Sequence, residues 1–140
     1  MTDVGPLHFF LGLEISQDAT GIKLSQAKYA QDILKRFHMT NCKPAPTPFL
    51  SVVCLEDGGD NPLVDSTLYR QLLGSLLYLT HSKPDLSYAV GAVSRYMQES
   101  HELHCKASKC ILRYVQGTIT FVIHYAIGTT LNLLGFIDSD

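Results

Sequence analysis

Asp138 and Asp140 flank Ser139 at the far end of this 140-residue chain. On a strand both acids would point to one side. Paired carboxylates at a strand end are raw material for a Mg²⁺ site, although such a site draws on further ligands; a solvated chain end is the plainer alternative. His101, His104, Cys105 and Cys110 put zinc-capable side chains within ten positions. Cys105 directly follows His104, however, and neither usual pair spacing is completed. These residues are expected to pack instead, with His104 capping or contacting a helix and Cys110 in its apolar stripe. Lys28, Lys35 and Arg36, with Lys43 just beyond, form the most basic stretch, suited to a polyanion or simply to a solvated helix face. Phe10 lies beside Gly12, which has no side chain. That is a spot for close approach of another backbone, or a bulge or bend. No Gly-rich phosphate loop or Gly-x-Ser-x-Gly elbow is present.

The totals set limits on these sites. Eleven basic and 13 acidic residues give a net charge of −2, so no bulk field attracts nucleic acid and any polyanion site is a local patch. Hydrophobic residues at 46% and charged residues at 17% describe an ordinary globular protein of one-domain length. The four cysteines lack framework spacing and follow no signal peptide, so reduced thiols in an intracellular protein are expected. No apolar run approaches the roughly 20 residues of a membrane span, and no membrane partner is expected.

The elements that must hold these residues predict an α+β fold. Residues 7–15 alternate, with Leu7, Phe9, Leu11, Leu13 and Ile15 on one face of a strand. A turn at Asp18–Gly21 and resumed alternation at Ile22 and Leu24 make residues 7–25 an N-terminal β-hairpin. Ser25 then caps a helix from about Gln26 to Met39 with Tyr29, Ala30, Ile33, Leu34 and Phe37 inward. Residues 40–64 carry Pro44, Pro46, Pro48 and Pro62 and a polar run at 56–60, and read as a linker loop joining two units. A Leu-rich helix follows, capped by Asp65 or Ser66. Leu68, Leu72, Leu76 and Leu79 form one column, Tyr69, Leu73 and Leu77 another, and Gly74 marks a close backbone contact. Ser82–Asp85 starts the next helix, carrying Leu86, Ala89, Val90, Val93 and Met97. The last holds Ala107, Cys110, Ile111, Tyr114 and Val115 and stops at Gly117. Short connections make these three a central antiparallel helical bundle. Phe121–Tyr125 and Leu131–Asp138 read as a C-terminal β-hairpin.

Taken together and in order, several segments resemble copia-type LTR retrotransposon Pol polyproteins. They are Asp3–Ile15, Gly21–Tyr29, Cys42-Lys-Pro44 with Thr47-Pro48, Tyr69–Thr80, Lys83–Val90, Val93–Arg95, Lys109–Thr118 and Gly135–Asp140. The resemblance implies the end of a reverse transcriptase palm and start of the thumb at 1–39, then the linker at 40–64. It implies a helical thumb and connection at 65–118 and a truncated, RNase H-like sheet at 119–140. It makes Phe10, Leu11 and Gly12 a turn gripping the primer strand, and turns Lys28, Lys35 and Arg36 toward the backbone of a template–primer duplex or RNA–DNA hybrid. Asp138 becomes the first metal-binding carboxylate of RNase H, an incomplete site. The family's activity is RNA-directed DNA synthesis and RNase H cleavage with Mg²⁺. The Tyr-x-Asp-Asp type motif and the further nuclease acids are missing from the 140 residues. Two-metal chemistry needs several acids, so the expectation is a non-catalytic fragment with no cofactor of its own. Cys105 and Cys110 stand where the family usually has Trp and Arg. The alternatives are a stand-alone nucleic-acid-binding or interaction module and a decayed gene.

Overall fold

The computed structural model describes residues 5–48, 55 and 61–128. Alternation in the first 25 residues builds three strands, β1 (Phe9–Phe10), β2 (Leu13–Asp18) and β3 (Gly21–Ser25). Helix α1 (Ala27–Arg36) follows, then α2 (Ser66–Leu79), a 3₁₀ turn (Pro84–Leu86), α3 (Ser87–Ser94) and α4 (Glu102–Gly117). Strand β4 (Ile123–Ala126) closes the described order. The four strands form one antiparallel sheet in sequence order, so the fold is α+β.

The core is helical. Ala30, Ile33 and Leu34 of α1 are buried with Leu72, Leu73, Leu76 and Leu79 of α2, Ala89, Val90 and Val93 of α3, and Ile111, Leu112 and Val115 of α4. Burying a Leu or Ile side chain is worth about 1.5–3 kcal/mol, so this cluster holds the fold. Asp65 starts α2 by accepting the Thr67 N–H at 2.8 Å. The Tyr69 hydroxyl donates to the Val93 carbonyl at 2.7 Å, which ties α2 to α3. Burial pushes that phenol's pKa up to about 12. The segment read as a linker is strapped down where it is described. Arg113 Nε donates to the Lys43 carbonyl at 2.8 Å, and Leu55 is buried in the same core as α1 to α4.

Several expectations are corrected. Residues 7–15 are not one strand, because the chain reverses at Leu11–Gly12 and Phe10 pairs with Leu13. Leu68 and Leu77 of α2 are exposed, at 59% and 41%, because no described element covers those sides of the helix. A Cβ on Gly74 would meet nothing within 4 Å, so no backbone packs there. Helix α4 does stop at Gly117 as expected, and the close contact falls there instead, with Pro44 3.1 Å from where the Gly117 Cβ would sit. The Ser82–Asp85 start signal opens a 3₁₀ turn before α3 begins at Ser87. The strand expected at 121–125 forms at Ile123–Ala126 and joins the N-terminal sheet by pairing with β3. Gly21 permits this, since a Cβ there would run into the Tyr125 carbonyl. Leu131–Asp138 lies outside the described residues.

Candidate nucleic-acid interface

The chain reversal between β1 and β2 has Leu11 at φ 48° and Gly12 at φ 79°. Positive φ at both central residues is the signature of the two-residue type I′ hairpin, whose twist matches the flanking strands. Leucine pays roughly 1–2 kcal/mol for a left-handed conformation, so the surroundings must hold it. The Tyr78 hydroxyl near the end of α2 donates a hydrogen bond to the Leu11 carbonyl, and the missing Gly12 side chain leaves room for that phenol. Phe9, Phe10 and Leu11 stand out from the surface, at 67%, 54% and 75% exposure. The tip is therefore apolar, exposed and anchored.

The same hairpin fixes the start of α1. The Glu14 carboxylate on β2 accepts the Lys28 N–H at 2.9 Å, and Ser25 Oγ accepts the Ala27 N–H at 3.1 Å. A carboxylate at this end also meets the positive pole of the helix. With Ala30, Ile33 and Leu34 turned to the core, the 3.6-residue period leaves Lys28, Asp32, Lys35 and Arg36 on the opposite face, and all four are exposed. Asp32 interrupts an otherwise basic stripe. Lys35 and Arg36 occupy the last turn, where cations also offset the negative helix pole. The Arg36 guanidinium donates to Ser75 Oγ at 3.4 Å. The Tyr29 ring meets Tyr78 edge-on, with centroids 4.7 Å apart.

Phe10, Leu11, Gly12 and the start of α1 are thus held in one unit through Glu14, Tyr29 and Tyr78. Lys35 and Arg36 lie about 10 Å further along the helix axis from Lys28. The arrangement can offer an apolar tip and a row of cations to a polyanion. Tyr78, Glu14 and Ser75 are the residues that sequence reasoning missed. The one usable signal was Gly12, whose bare Cα invites a close neighbour.

The remaining expected sites resolve differently. Asp138 and Asp140 lie outside the described residues. Among the described residues, no group of three or more His, Cys, Asp or Glu could hold a metal ion. His104 is not the N-cap of α4. It sits two residues inside the helix and reaches back, its Nδ1 accepting the His101 N–H at 2.9 Å. Its Nε2 meets the Leu55 carbonyl at 3.2 Å, and its ring stacks on Tyr96 with centroids 4.0 Å apart. Burial lowers its pKa from the ordinary histidine value. Cys110 is buried in α4, and burial raises the pKa of half-buried Cys105.

The family model described as reverse transcriptase (RNA-dependent DNA polymerase) matches residues 1–51. A retrovirus-related Pol polyprotein from transposon RE1 of Arabidopsis thaliana is 42% identical over 96% of this chain, which spans 9% of that polyprotein. The corresponding polyprotein from transposon TNT 1-94 of Nicotiana tabacum is 35% identical over 100% of the chain, which spans 11% of it. An uncharacterised mitochondrial protein of Arabidopsis thaliana is 39% identical over 100% of the chain, which covers 58% of its length. No solved structure matches the chain.

Proposed function

Starting from a chain that belongs with the Pol polyproteins of copia-type transposons, we propose that it is a non-catalytic part that supports template–primer binding. In this reading the Phe10–Gly12 turn rests against the primer strand, and Lys28, Lys35 and Arg36 neutralise phosphates of an RNA–DNA hybrid. Such contacts position a duplex without reading its sequence. The observation that carries the proposal is the exposed apolar turn fixed in one unit with the basic face of α1. Segments 1–39, 65–118 and 119–140 would be late palm and early thumb, thumb and connection, and the beginning of RNase H. DNA synthesis and RNA cleavage with Mg²⁺ would belong to the intact polyprotein, with Asp138 as one nuclease carboxylate. Among the described residues, no three or more His, Cys, Asp or Glu side chains come together to hold Mg²⁺. The place of action would be intracellular.

Fluorescence anisotropy with a labelled RNA–DNA hybrid tests the proposal. With two or three phosphate contacts, the logarithm of affinity should fall against the logarithm of salt with a slope of about −2 to −3. No binding at low salt, or a flat response, would overturn it. One observation favours the interaction module as a second reading. The registers put Phe10, Leu13, Ile15, Ile22, Leu24, Ile123 and Tyr125 on one sheet face, and that face carries no charge. A protein partner suits such a surface better than a polyanion.

A further inference from the structure

We infer that Tyr78 is the positioning residue of the interface: its hydroxyl fixes the Leu11–Gly12 turn to α2 and so sets the angle at which Phe10 and Leu11 meet the nucleic acid. This rests on the binding role proposed above, but its structural half stands separately. Four observations converge. Leu11 is one of two described non-glycine residues at positive φ, the other being His38, and its carbonyl receives the Tyr78 hydroxyl. Gly12 must lack a side chain because the phenol fills the space where its Cβ would be. The Tyr78 ring is itself braced, edge-on to Tyr29 at 4.7 Å and to His81 at 5.5 Å. Tyr29 in turn reaches back to α2 through its hydroxyl, 3.4 Å from the Ser75 carbonyl.

The clasp matters because the sheet has little else to hold its tip. Gly21 is the one buried residue among the four strands, and an exposed two-stranded ribbon is marginal without a packed face. With Glu14 on Lys28 at one point and Tyr78 on Leu11 at another, the hairpin is pinned to both α1 and α2. Loss of the second pin leaves the bundle intact and frees the turn. Tyr78 itself contributes no phosphate contact, so its loss should weaken binding without changing the number of ions released.

The test is Tyr78→Phe in the full chain, which keeps the ring and removes the hydroxyl. Hydrogen exchange followed by NMR should show the Gly12 and Leu13 amides exchanging roughly three- to tenfold faster, as expected for one lost hydrogen bond, with amides of α2 to α4 unchanged. Anisotropy with a labelled RNA–DNA hybrid should show affinity falling by a similar factor at an unchanged salt slope. Gly12→Ala provides the second variant. Its penalty in turn exchange should be smaller in the Tyr78→Phe background, because the overlap with the hydroxyl is gone. Unchanged turn exchange in Tyr78→Phe, or equal Gly12→Ala penalties in both backgrounds, would overturn the clasp. Loosened turn exchange with unaltered hybrid affinity would overturn the positioning role. If neither the parent nor the variant binds hybrid while the turn loosens as described, the binding proposal fails and the clasp stands.

Discussion

Acidification should destabilise this protein through His104, and replacing that one side chain should remove the effect. Both ring nitrogens are committed in the neutral form: Nδ1 accepts from the His101 N–H and Nε2 donates to the Leu55 carbonyl. Protonation would set a second N–H against the His101 N–H and leave a charge on a ring that is 1% exposed. Tyr96 stacks on it, Cys105 follows it, and the His101 ring lies 5.6 Å away, itself 3.9 Å from the Glu99 carboxylate. Burial therefore depresses its proton affinity in the folded state. The unfolded chain takes up the proton first, near the ordinary value of about 6.5. Stability from this group is complete above that value and is lost as pH falls from there toward the folded-state pKa. Linkage bounds the loss at about 1.2 kcal/mol between about pH 7 and pH 5.5. Urea unfolding followed by circular dichroism measures it in the parent and in His104→Gln. The variant should be less stable at neutral pH by about 1–3 kcal/mol, having disturbed buried hydrogen bonds. The His101–Glu99 pair is common to both proteins, so the difference between their pH responses isolates His104. Equal pH responses would refute the reasoning.

Two further substitutions probe α2. Gly74→Ala should raise stability by about 0.5–1 kcal/mol in thermal or urea melts, because the new methyl enters open space in a helix interior. Asp65→Ala should lower it by about 1 kcal/mol, because the first-turn N–H groups of Thr67 and Leu68 lose their acceptor. Unfolding midpoints check both.

The helices were legible because their signal is local. Leu72, Leu76 and Leu79 recur at helical spacing, and Asp65 caps the element that the spacing predicts. What failed there was coverage: the pattern does not say how many sides have neighbours, and Leu68 and Leu77 proved to be outside. The turn at Leu11–Gly12 was hidden from the alternation for a specific reason. A leucine at φ 48° is held by a tyrosine some 67 positions away, so among the nearby residues only Gly12, read as a close approach or a bend, hints at the reversal. Family resemblance identified that turn where periodicity did not. Strand β4 was visible as an element, but its partner was not, since pairing with β3 is a long-range choice. The basic residues of the candidate interface were legible as a helix face, whereas Glu14, Ser75 and Tyr78, which orient that face and the turn, lie within the segments that carry the resemblance but received no role from it.

The central claim is that the exposed cations of α1 meet phosphates. It is tested most directly by comparing the salt dependence of hybrid binding in the parent chain and in the Lys35→Gln, Arg36→Gln double variant. Each lost phosphate contact should reduce the steepness of the logarithmic salt slope by about 1, so the double variant should bind more weakly with a slope shallower by about 2. Equal affinity and equal slope in the two proteins would contradict the account.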